Sequence, residues 1–130
     1  MAATAKTFSY ELELDRAGKM TVGEAPAVEV PDAWMPDHLL LAAVLRCSIA
    51  SLAFHAERAG HSVAASGSAK GTVARRSSDG RFAFESIDLA IDVQLTPPTT
   101  EPDDLLAKAE RDCFVGASLT IKPAYEWRVS

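Results

Sequence analysis

A chain of 130 residues, 48% apolar and 24% charged, has the composition of a single globular domain, here residues 1–130, and excludes a disordered or fibrous protein. Its formal net charge of −5 leaves no clustered Lys and Arg for a nucleic-acid backbone, and the one tight basic pair, Arg75-Arg76, reads as a solvated strand end. The N-terminus, MAATAKTFSYELEL, lacks the charged-then-apolar order of a signal peptide, and the longest unbroken apolar run, Leu39 to Leu45, is too short to span a bilayer. The expected setting is therefore cytoplasmic and away from the membrane.

Residues 8–15 alternate, with Phe8, Tyr10, Leu12 and Leu14 on one face and Ser9, Glu11, Glu13 and Asp15 on the other, which predicts a half-wet strand. Ala17-Gly18 reads as a turn. Lys19 to Val30 supplies a second strand, split around Gly23 to Pro26 and ended by Pro31. Pro36 suits the first position of a helix, and the absence of Pro and Gly from there to Ala59 predicts one long helix capped by Gly60. Leu39, Leu40, Leu41, Val44, Leu45, Ile49, Leu52 and Phe54 leave that helix almost no polar face. A helix apolar all round must be covered all round, and a small domain covers one side, so the expected partner is a second copy of the chain.

Beyond Gly60, residues 61–76 and 81–95 flank Ser77-Ser78-Asp79-Gly80, a hairpin signal. In the second arm Ile87, Leu89, Ile91, Val93 and Leu95 share one parity, while Phe82 and Phe84 are out of phase, which predicts a bulge near Glu85-Ser86. Thr100 to Asp103 reads as a capping box opening a helix that carries Leu105, Leu106, Ala109 and Cys113 near one face. Leu119, Ile121, Tyr125, Trp127 and Val129 share one parity and predict a final strand. The element order is α+β.

Two cysteines in a reducing compartment are open to three readings: buried filler, metal ligation or thiol chemistry. Cys47 and Cys113 each stand alone, and His38, His55 and His61 fit no ligand pattern; His38 and His55 are roughly 25 Å apart along one helix, so no metal is expected. Each cysteine is placed in a helix whose apolar face packs on the same layer, so a thiol pair is geometrically possible. Neither is placed at a helix N-terminus, so a lowered thiol pKa would need a neighbouring cation, with Arg16, Arg46 and Arg111 as candidates. Arg46 points about 100° away from Cys47 around the helix.

MPDHLLLAAVLRC, residues 35–47, resembles the first-cysteine signature of the OsmC/Ohr family of hydroperoxide reductases, and AERDCFVGASL, residues 109–119, resembles its second-cysteine motif. The resemblance extends to element order over essentially the whole chain. It implies an intertwined α+β homodimer, with antiparallel sheets packed around a long central cysteine helix and a second, shorter helix. It also implies that Cys47 is the peroxidatic and Cys113 the resolving residue. The substrate implied is a small organic hydroperoxide, the reductant a dithiol, and neither metal nor cofactor is required. The family pairs an Arg of the N-terminal hairpin with a Glu ten residues before the first cysteine. The corresponding residues here are Arg16 and Asp37, the latter one methylene shorter than the family residue. Phe114, where the family usually has Pro, is a second departure. A non-catalytic member binding a small apolar ligand, or a redox sensor using the same disulfide, is the alternative reading.

Overall fold

The computed structural model describes residues 6–130, which form two compact units divided at Met35 and Pro36. In the first, β1 (Glu13–Leu14), β2 (Lys19–Thr21) and β3 (Val28–Glu29) form an antiparallel sheet in that order. The turn after β1 is held by Asp15, whose side chain accepts from the backbone N–H groups of Ala17 and Lys19, each at 2.9 Å, and by Gly18 at φ +88°. The strand expected over 8–15 is confined to its last residues. With Glu13 opposite Thr21, Leu12 and Glu11 would need partners at Val22 and Gly23, where the chain instead turns, the Ala25 N–H donating to the Val22 carbonyl at 3.2 Å.

The second unit opens with α1 (Pro36–Arg58), closed as expected by Gly60 at φ +92°. The His61 N–H donates to the Ala56 carbonyl at 2.9 Å, satisfying an end-of-helix acceptor. Val44, Cys47, Ser48, Leu52 and Ala56 recur at three- and four-residue steps and form the buried stripe of α1. The rest of the helix is incompletely covered within one chain, with Leu39 and Phe54 exposed and Leu40, Leu41, Leu45 and Ile49 partly buried. By length and composition α1 would also suffice to cross a membrane, which the short Leu39 to Leu45 run conceals. Here its apolar stripe packs into a folded core.

That core rests on β4 (Ser62–Arg75) and β5 (Phe82–Thr96), an antiparallel hairpin in which Ile87, Leu89, Ile91, Val93 and Leu95 are buried as their parity predicts. Thr72 pairs with Ser86 and Val73 with Phe84, so Glu85 is the extra residue of the expected bulge. Gly67 of β4 lets the layers approach: a Cβ there would lie 2.6 Å from the Ala90 carbonyl oxygen and 3.3 Å from Leu45 of α1.

The third strand of this sheet, β6 (Ala124–Val129), corrects the expectation of wholly antiparallel sheets, because it runs parallel to β5, from Asp88 opposite Ala124 to Val93 opposite Val129. Between them the chain crosses back through α2 (Asp103–Arg111) and α3 (Phe114–Ala117), the connection a parallel pair requires. The expected capping box does not form: Pro102 is the N-cap of α2, and Thr99 accepts the Glu101 N–H instead. Leu119 and Ile121 precede β6, which begins just after Pro123.

Candidate functional site

Cys47 sits midway along α1, on the buried stripe, and is 9% exposed; Cys113 follows α2 and is 1% exposed. Both are free thiols, within hydrogen-bond reach of one another. Cys113 is not carried on the α2 face as expected. It is the N-cap of α3, at φ −72° and ψ 97°, which corrects the reading that neither cysteine marks a helix start. This local fold turns the first backbone N–H groups of α3 on the other cysteine. Burial pushes the Cys47 thiol up from its ordinary value, the Val115 N–H pulls it down, the Cys113 side chain pushes it up again, and the Phe114 N–H pulls it down. A thiolate at Cys47 therefore meets two backbone donors, from Phe114 and Val115.

An apolar cleft of about 650 Å³ opens beside Cys47, walled by Ala43, Ala50, Phe54 and Phe114. Arg46 lines the same cleft, so the residue that seemed turned away on the helix shares its space with the thiol. Arg111 does not: its Nε and Nη2 donate to the two Asp112 oxygens, each at 2.9 Å. Arg16 is exposed in the turn between β1 and β2, within the N-terminal unit. Asp37 is exposed in the first turn of α1, where its charge complements the helix dipole. It lies about 15 Å from Cys47 along the axis, beyond contact with that thiol inside one chain. Among the described residues no group of three or more His, Cys, Asp and Glu is placed to hold a metal ion.

Three features were not foreseen. His55 Nε2 lies 2.7 Å from Asp112 Oδ2 at the cleft, and Arg111 first, with His55 assisting, pulls the Asp112 carboxyl down to about 2. Eight residues beyond Cys47, His55 shares its helix face, a spacing visible in the sequence. Ser51 also lines the cleft, and its hydroxyl is buried without a hydrogen-bond partner. Behind the thiols, the Ser48 hydroxyl donates to the Val44 carbonyl at 2.8 Å, lies 2.9 Å from the Tyr125 hydroxyl, and lies 3.4 Å from Cys113 Sγ.

Residues 30–128 match the family model described as OsmC-like protein. No curated protein matches the chain. Among solved structures, it is similar to an OsmC-like protein of unknown function from Vibrio cholerae (TM-score 0.69, 15% identity, covering 84% of this chain and 82% of that one). It is also similar to an OsmC-like protein from Mycoplasma pneumoniae (TM-score 0.67, 15% identity, 98% of each chain). The organic hydroperoxide resistance protein OhrB of Bacillus subtilis matches with TM-score 0.57 and 18% identity, over 95% of this chain and 98% of that one. At these identities the likeness is one of fold.

Proposed function

Because this chain belongs to the OsmC-like family, we propose that it is a thiol-dependent peroxidase that reduces organic hydroperoxides as a homodimer. The observation that carries this reading is the adjacency of Cys47 and Cys113 at an apolar cleft. The Cys47 thiolate attacks the terminal peroxide oxygen, the O–O bond breaks, and the alkoxide leaves as an alcohol after taking a proton. Cys47 is left as a sulfenic acid. Cys113 attacks the sulfenic sulfur, water leaves, and a disulfide forms; a dithiol reductant returns both sulfurs to thiols, becoming a disulfide itself. The sulfurs carry all the electrons, so no cofactor is needed, and a reducing cytoplasm keeps the resting pair free.

The uncovered side of α1 is the surface for the second copy. Arg16 and Asp37 keep their proposed roles, Asp37 acting on the thiolate only through a guanidinium. Phe54 and Phe114 suit an apolar peroxide better than a strongly hydrated one.

A second reading, a non-catalytic module that binds a small apolar ligand, is favoured by one observation: burial holds the Cys47 thiol above its ordinary value. Steady-state turnover of cumene hydroperoxide with a dithiol separates the two. The peroxidase reading expects turnover that Cys47→Ser abolishes. Absence of turnover in the unaltered protein with every dithiol tried leaves the second reading standing.

A further inference from the structure

The peroxidase reading gives the second cysteine a task its surroundings make difficult. Cys113 must carry negative charge as it attacks, yet it is 1% exposed, and among the described residues no ion pair of an Arg or Lys places a cation on it. A buried anion needs a hydrogen-bond donor. The groups facing Cys113 are the Cys47 thiol, Ser48 and the Val44 carbonyl from α1 and Tyr125 from β6, the Cys113 thiol donating to that carbonyl at 3.9 Å; Glu110 of α2 lies within electrostatic range of Tyr125 and accepts from Trp127 Nε1 at 2.9 Å. Asp112, next in the chain, is engaged by His55 and Arg111 instead.

Proton counting orders these contacts. Ser48 has one hydroxyl proton, which the resting protein gives to the Val44 carbonyl at 2.8 Å. In that state the 2.9 Å contact is made by Tyr125 donating to Ser48 Oγ. Rotating the Ser48 hydroxyl carries its proton from Val44 to Cys113 Sγ, 3.4 Å away, without moving a heavy atom. Tyr125 continues to donate, and a hydroxyl that accepts a hydrogen bond is a stronger donor. Tyr125 is suited to donating: burial first, with the charge of Cys113, a side-chain hydrogen bond with Cys113 and the charge of Glu110 adding to it against the Ser48 bond, pushes its phenol up to about 12.

We infer that Ser48 and Tyr125 form a switchable donor pair for the resolving cysteine, in which Ser48 stabilises the charge developing on Cys113 Sγ and Tyr125, which reaches both Ser48 and Cys113, polarises and orients Ser48 beside the same sulfur. The inference rests on the peroxidase reading and deepens it. In the step it serves, a bond forms between Cys113 Sγ and Cys47 Sγ while the Cys47 S–O bond breaks. The leaving hydroxide takes the proton that Cys113 gives up and departs as water, so Cys113 is oxidised and the sulfenic acid reduced to the disulfide level.

The test uses the reduced full-length protein and one equivalent of cumene hydroperoxide, with peroxide loss and free-thiol loss followed separately across neutral to alkaline pH. Ser48→Ala and Tyr125→Phe each lower the ratio of disulfide closure to peroxide consumption about tenfold, the loss of one hydrogen bond to a charged group. The sulfenic acid then persists long enough to be trapped by dimedone, and the closure profile moves to higher pH. Ser48→Thr, which keeps the hydroxyl, restores closure. An unchanged ratio, or a fall in both rates with an unmoved pH profile, overturns the inference. Diamide, which oxidises a dithiol without peroxide, supplies a second arm. If no form consumes peroxide, the peroxidase reading fails, and slower diamide closure in Tyr125→Phe still upholds the donor pair, whereas equal closure refutes it.

Discussion

His55 Nε2 stands 2.7 Å from Asp112 Oδ2, tying the last turn of α1 to the residue that immediately precedes Cys113. The contact fixes where the second cysteine sits relative to the first. His55→Ala is expected to slow disulfide closure several-fold while the cleft apolar wall stays in place. Stopped-flow measurement of free-thiol loss checks this, with an unaltered closure rate counting against a positioning role.

The same contact has a defined acid limit. Asp112 is held down at about 2 against an ordinary 3.8, so its charged partners add stability that is fully present above 3.8. That stability fades as pH falls from 3.8 through about 2. Comparing melting temperatures of the unaltered protein and Asp112→Asn should show a gap at neutral pH that narrows over this interval. A gap that stays constant to the acid side would assign the effect elsewhere.

At the alkaline end the signs reverse. Tyr125 is raised from 10.0 to about 12, so ionising it costs the fold nothing below 10.0 and increasingly destabilises it as pH climbs toward about 12. Cys47, raised from 9.0 mainly by burial, begins to contribute the same penalty above 9.0. Tyr125→Phe should therefore lose less stability than the unaltered protein between 10.0 and about 12, by on the order of 1 kcal/mol for a half-exposed ring. Urea unfolding at stepped pH provides the comparison.

Leu52 of α1 is fully buried, within the core cluster that also holds Val93, Leu95 and Leu105. Leu52→Ala should cost about 2–5 kcal/mol, from lost burial and the residual cavity. Leu39→Glu, on the exposed side of the helix, should hardly affect the fold of one chain but should disrupt the proposed dimer. Sedimentation of the unaltered protein at twice the chain mass, and of Leu39→Glu at the single mass, would bear out the coverage of α1 by a second copy.

Periodicity along the chain was enough to place α1, its Gly60 cap, the buried parity of β5 and the bulge at Glu85, because each follows from residues near one another in sequence. It could not give the direction of β6. Alternation of Tyr125, Trp127 and Val129 is the same in parallel and antiparallel pairs, and the sign that was available, an intervening helix, concerns topology instead of period. The strand expected from Phe8 failed for a related reason: a pattern does not supply a partner. Around the site, the pairing of Cys47 with Cys113 is implied by resemblance, and Phe114 stands out in the sequence only as a departure from the family pattern. That its backbone N–H, with that of Val115, faces the Cys47 thiol depends on α3, a turn too short to leave a periodic signal. Ser48 and Tyr125 meet across the core from distant segments, and nothing local marks either as a partner of Cys113.

The most direct measurement is the mass of the reduced protein after one equivalent of cumene hydroperoxide, followed by peptide mapping. The account predicts loss of two hydrogens and a single cross-linked pair containing Cys47 and Cys113. Oxygen retained on Cys47 with Cys113 still a free thiol, or two thiols untouched while the peroxide survives, would contradict it.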